Sequence, residues 1–333
     1  MNKKHLCKSI VLLWLTNLST IAFGGSEPPA SHLSASELLE LYSSMYSSIH
    51  NMSVSYTDVV EEVIPDPNAP PDAMKYLIRY QKVDRIEEGD KYYIRYSFSM
   101  DPNGFGKGYE RLNGASFDGS VTMEYNSRSR RKSGSIYPGR TGKSYENTNI
   151  LPDYMLMNNI IIADRERVRK DLPDRKVPMI DFLSDPQGKV RPHLEQISGQ
   201  WCHVVDTIYP SIPDLPKIGR ATIWFAADKG GLPMKLEEFD GYGKYERSIL
   251  VKKIAAAEDK TNVVWYPQEA IMTTYSLGEG TIKHKFVCHE LWVNIETNED
   301  TWKVSFPEGT GVVDYISGIS YNAGPVENTE ENP

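Results

Sequence analysis

The sequence has little that marks a catalyst. There is no G-x-S-x-G elbow, and His289-Glu290 is not followed by the second histidine of an H-E-x-x-H helix. The strained serine turn of an α/β-hydrolase and the zinc-binding pair of a metalloprotease are therefore both missing. Gly139-Arg-Thr-Gly142-Lys143-Ser144 ends like a phosphate-binding loop, but Tyr137 stands where the leading glycine is needed. Asn103-Gly-Phe-Gly-Lys-Gly108 is glycine-rich without a strand–helix context, and a lone match of that kind is weak. Positive charge is also short. Lys and Arg number 37 against 45 Asp and Glu, a net charge of −8, which disfavours nucleic acid and anionic membrane surfaces as partners.

Long apolar runs are absent after residue 23. The one before it, Ile10 to Phe23, follows Lys3, Lys4 and Lys8 and ends at Ala22-Phe23-Gly24. That is the layout of a secretory signal peptide over residues 1–24, too short for a membrane span. Export to the periplasm or beyond is expected, with no transmembrane segment after cleavage. The mature chain would carry 34 basic and 45 acidic residues, a net charge of −11.

Cysteine is scarce. Of three, Cys7 lies in the signal, leaving Cys202 and Cys288. An even count in an exported chain predicts a disulfide between them. A loop of this length would gain about 4–5 kcal/mol on the chain-entropy model. Cys202-His203 and Cys288-His289 also invite a Cys₂His₂ zinc reading. In strands, however, neighbouring side chains point to opposite faces, and the short C-x₂₋₄-C clip is missing. No metal and no cofactor are expected.

What the chain has in quantity is strand pattern. In Gly219 to Gly241, Ile223 and Phe225 fall on one face and Thr222 and Trp224 on the other. After a Gly-Gly turn, Met234 and Leu236 alternate with Lys235 and Glu237. Such period-two alternation predicts a sheet with one apolar face and one wet face. Similar runs are read at 54–63, 75–84, 91–100, 121–125, 201–208, 245–255, 261–269, 270–276, 281–294 and 302–306. Residues 126–149 are polar and read as a loop, with the basic cluster Arg128, Arg130, Arg131 and Lys132 inside it. Residues 153–170 carry helix-compatible periodicity. Ser34-Ala-Ser-Glu37 is a capping box before Leu38, Leu41, Met45 and Ile49, an amphipathic helix of roughly four turns. Residues 25–32 read as a linker. Residues 33–322 read as a single domain with a helical or irregular insertion at about 151–198, and residues 323–333 as a disordered acidic tail.

Several segments carry a family resemblance. They are Phe117-Asp-Gly119 with Val121-Thr-Met-Glu-Tyr125, Gly199-Gln-Trp-Cys202-His-Val-Val205, Ile223-Trp-Phe225 with Gly231-Leu-Pro233-Met-Lys235-Leu236, and the closing Phe306-Pro-Glu-Gly309-Thr310. In this order, after a signal and a capped helix, the chain resembles the LolA/LolB-like superfamily of outer membrane lipoprotein-sorting proteins. The resemblance implies a mainly β (α+β) fold: a strongly curved, incompletely closed antiparallel sheet wrapped around a few helices. It also implies a non-enzymatic periplasmic protein that binds lipoprotein acyl chains or another apolar ligand on the concave face. Ile223, Phe225, Met234 and Leu236 are the candidate ligand face. A lipidated protein or an apolar small molecule is the expected partner. An envelope protein bound in a structural or regulatory role is one alternative. A hydrolase using the His203 and His289 faces is another.

Overall fold

The computed structural model describes residues 33–65, 74–104, 111–128, 131–140, 159–162, 175–178, 188–208, 219–239, 243, 245–258, 263–276 and 280–324. The expected signal, linker and most of the tail lie outside them. The described chain is mainly β: one large, curved, unclosed sheet and one α-helix. No helix among the described residues is long and apolar enough to cross a membrane.

The helix comes first. α1 spans Ala35–Ser47, and its start is the predicted capping box. Ser34 N–H donates to Glu37 Oε2 at 2.7 Å, and Glu37 N–H donates to Ser34 Oγ at 3.3 Å. Two backbone donors that the first turn leaves without partners are thereby satisfied. The buried stripe is Leu38, Tyr42 and Met45, while Leu41 is exposed.

The strands are β1 (Asn51–Pro65), β2 (Met74–Glu88), β3 (Lys91–Ser99), β4 (Arg111–Phe117), β5 (Val121–Arg128), β6 (Arg131–Pro138), β7 (Asn159–Ile162), β8 (Arg175–Pro178), β9 (Lys189–Val190) and β10 (Glu195–Ile197). They continue with β11 (Gln200–Ile208), β12 (Arg220–Ala226), β13 (Pro233–Phe239), β14 (Tyr245–Glu258), β15 (Val263–Ser276), β16 (Gly280–Val293), β17 (Gly311–Asp314) and β18 (Ile319–Asn322). The main sheet runs β10-β11-β12-β13-β14-β15-β16-β1-β2-β3-β4-β5-β6-β17-β18, with β9 on β11. Its pairs are antiparallel except β6 with β17. β7 and β8 form a separate ladder, so strand stands at 159–162, inside the stretch with helix-compatible periodicity. β1 and β16 pair at the centre, which joins the two ends of the domain's sequence.

Side chains from β1 to β4 and from β11 to β16 share one core with α1. The helix crosses the inner side of the sheet at the β12–β13 turn. Tyr42 meets the edge of Phe225 with ring centroids 6.4 Å apart. The turn reaches the helix because it is glycine. A Cβ on Gly230 would lie 3.2 Å from Met45 Sδ, and one on Gly231 would lie 3.4 Å from Tyr42 N. Both glycines also have positive φ, +61° and +72°, which L side chains adopt only with strain.

Three strand readings differ from the structure. Residues 131–138 form β6 rather than loop; a Cβ on Gly134 would come within 2.6 Å of the Phe306 ring. Residues 263–276 form one strand whose pairing with β14 shifts register near Lys253, so the apolar alternation breaks without the strand ending. Residues 302–306 are not a strand. A 3₁₀ turn at Glu299–Trp302 leads into an irregular segment that buries Trp302 and Val304.

Replacing Gly231 with Ala should destabilise the protein by about 1 kcal/mol or more, because both backbone conformation and helix contact are disturbed. A denaturant midpoint unchanged in Gly231→Ala would contradict this packing.

Candidate functional site

The inner face of the sheet is built from alternate residues. On β12 it carries Ala221, Ile223 and Phe225, and on β13 Met234, Leu236 and Glu238. The register sets Ile223 opposite Leu236, Leu236 opposite Ile249, and Ile249 opposite Met272. All four candidate residues thus share one side, beneath or beside α1. Ile223, Phe225 and Leu236 are 0 % exposed and Met234 is 1 % exposed.

The other side of β12 is not wet, contrary to the alternation argument. Trp224 and Thr222 are also buried. The cover comes from the β9–β10 segment and from β13. Arg191 donates through Nε and Nη2 to both oxygens of Asp206, each at 2.8 Å, and through Nη1 to Glu195 Oε1 at 2.6 Å. Trp224 Nε1 donates to Glu195 Oε2 at 2.8 Å, and Thr222 Oγ1 to Asp206 Oδ1 at 2.8 Å. Lys235 Nζ lies 4.3 Å from the Trp224 ring centroid, and the Arg191 guanidinium 5.9 Å. Two cations therefore flank the indole. The Arg191 guanidinium holds the Asp206 carboxyl below its ordinary range, helped by Thr222. Burial pushes Glu195 up, but its bonds to Trp224 and Arg191 bring it below the ordinary value.

The inner face also has a polar belt that the candidate set missed. Glu238 and Arg247 face each other across β13 and β14 and pair at 3.3 Å, with side chains 4 % and 10 % exposed. Burial lowers the Arg247 pKa to about 10, which leaves it cationic at neutral pH. Asp58, 4 % exposed, accepts at Oδ2 in a 2.9 Å contact with His284 Nδ1. Tyr56 stacks on Phe286 beside it, centroids 4.8 Å apart. The signal was present. Asp58 continues the inward series Val54, Tyr56, and Glu238 continues Met234, Leu236.

The expected Cys202–Cys288 disulfide is not formed. Both are buried free thiols. β11 and β16 have four strands between them, roughly 24 Å along the sheet at the usual strand spacing. A bridge needs Cα atoms within about 7 Å. Burial pushes both thiols up to about 12, far from reactive thiolate character at neutral pH. The two Cys-His dipeptides are separated in the same way and do not form one ligand set. His203 is buried on the inner face, while His289 is exposed and lies 2.7 Å from Thr57 Oγ1. The two faces expected of a hydrolase are not brought together.

No protein-family model matches the chain, and no curated protein matches it by sequence. Solved structures similar to it include an outer membrane lipoprotein-sorting protein domain from Vibrio parahaemolyticus, with 11% identity, 81% of this chain and 97% of that one covered, and a TM-score of 0.41. A DUF1329 family protein from Desulfovibrio piger aligns at 10% identity over 81% and 97%, TM-score 0.44. A LolA superfamily protein from Nitrosomonas europaea aligns at 9% identity over 82% and 98%, TM-score 0.39. These names belong to the group that the sequence resembles. At such scores they carry no argument about ligand or activity.

Two predictions follow from the paired charges. Glu238→Ala removes the carboxylate paired with a buried guanidinium and should cost about 3–5 kcal/mol. Glu269→Ala, which breaks an exposed pair with Lys253, should cost under about 1 kcal/mol. Equal losses in urea denaturation would refute the distinction. Asp206 and Glu195 both have depressed folded-state pKa values. Their contribution is present above the unfolded carboxylate range, about pH 4, and disappears as pH falls through the folded values. Asp206→Asn should flatten that acid limb of the stability profile; an unaltered limb would count against the Arg191 clamp.

Proposed function

We propose that the chain is a non-catalytic binding protein, exported to the periplasm. It would hold an acyl chain of a lipidated protein, or another apolar small molecule, against the inner face of its sheet. Ile223, Phe225, Met234 and Leu236, on β12 and β13, would form part of that face.

The carrying observation is a mismatch of areas. Fifteen strands follow one another in the main path of the sheet, an arc of roughly 67 Å at about 4.8 Å per strand. The one α-helix among the described residues has 13 residues, a rod of about 20 Å. It covers about four strand spacings lengthwise. Apolar inner-face residues extend well beyond it, from Ala221 on β12 to Ala115 on β4. A sheet bending such a face around so little helix, among the described residues, supports enclosure of an apolar ligand. The side-by-side placement of α1 and the candidate residues also gives a ligand a route to the face, by displacing the helix.

The test is titration of lipid-freed protein with saturated fatty acids of increasing length, read by displacement of N-phenyl-1-naphthylamine. Each buried methylene contributes about 0.8 kcal/mol, so affinity should rise about fourfold per carbon until the groove is full. Absence of saturable dye uptake, or uptake indifferent to chain length, would remove the basis for this reading. Capture of an envelope protein with no lipid present would favour the structural or regulatory alternative instead.

A further inference from the structure

One cross-strand row of the inner face changes character along its length. It runs Ile223, Leu236, Ile249, Met272 and then His284, from β12 to β16. The first four side chains are 0–6 % exposed. His284 Nδ1 then meets Asp58 Oδ2 at 2.9 Å on the neighbouring strand, β1. An apolar strip thus leads to a buried carboxylate.

That carboxylate is half satisfied. Oδ2 has His284, but Oδ1 is fully buried and has no hydrogen-bond partner. Asp58 stands directly across the ladder from Phe286 on one side and Gln81 on the other. A buried acceptor of this kind is costly to leave unmade. The apolar ligand face does not use it.

We propose that Asp58 is the polar end of the same inner face and receives the head group of a long-chain primary amine. The alkyl chain lies along the row toward Ile223, and the ammonium donates to Asp58 Oδ1. This rests on the apolar-ligand reading above and specifies the ligand's head. A carboxylate accepts and does not donate, so it favours a cationic N–H donor over a neutral hydroxyl or a fatty-acid carboxylate. The chain's net charge of −8 favours a cation as well.

The experiment uses the purified full chain loaded with N-phenyl-1-naphthylamine at neutral pH. Dodecylamine, dodecanol, dodecanoate and dodecyltrimethylammonium compete for it. Dodecylamine should displace the dye at concentrations at least tenfold below the other three. The trimethylammonium compound carries the charge without an N–H, so it separates the hydrogen bond from general attraction to an acidic protein and needs no variant. Asp58→Asn should bring dodecylamine to the level of dodecanol. Equal displacement by dodecylamine and dodecyltrimethylammonium, or a preference that survives in a folded Asp58→Asn protein, would overturn the proposal. Dye uptake with no amine preference overturns the head-group assignment alone. No saturable uptake overturns the apolar groove together with it.

Discussion

A curved sheet must keep its inner face away from water, and among the described residues a single short helix is set against a very long sheet. That constraint organises the rest of the structure. α1 is anchored where it can do most, over Phe225 and against a turn made of Gly230 and Gly231. The corner from helix to β1 is held by Asn294. Its Nδ2 donates to Ser48 O at 3.0 Å, and its Oδ1 accepts from His50 N–H at 2.9 Å. The helix is thereby tied to β16 as well as to the β12–β13 turn. Local capping, glycine turns and the central β1–β16 pairing all serve to position one element on one face.

The outer side solves a different problem. β12 is buried on both sides, and the Arg191 network supplies the outer cover at Trp224. Further along, the segment after β16 crosses behind the sheet with Trp302 and Val304 buried, and β17 joins β6 in parallel. Gly134 leaves room for Phe306 beneath that crossover. Outer cover is therefore built from chain that returns across the sheet, which leaves the inner face as the place where helix, core and any ligand compete.

Much of this was legible in the sequence because strand alternation is local. Ile223 and Phe225 against Trp224, and Met234 and Leu236 against Lys235, fix the two faces with no knowledge of neighbours. The Ser34–Glu37 capping box likewise depends on four adjacent residues. What was not legible depends on distant chain. Trp224 reads as wet by alternation because Arg191 and Glu195, which enclose it, lie about 30 residues back in sequence. β6 reads as loop because its Ser and Gly residues make sense only beneath Phe306. The cysteine pair looked like a bridge because composition does not reveal that β12 to β15 stand between them. Asp58 and Glu238 could have been found: each sits on the inward parity of a strand whose other inward residues are apolar.

The proposed function requires the inner face to bind apolar surface. Calorimetric titration of lipid-freed protein with a saturated long-chain ligand at several temperatures tests it directly. Burial of apolar area on binding requires a negative heat-capacity change, and one that grows with chain length is expected. Heat that is absent, or a heat-capacity change near zero for every chain length, would contradict it.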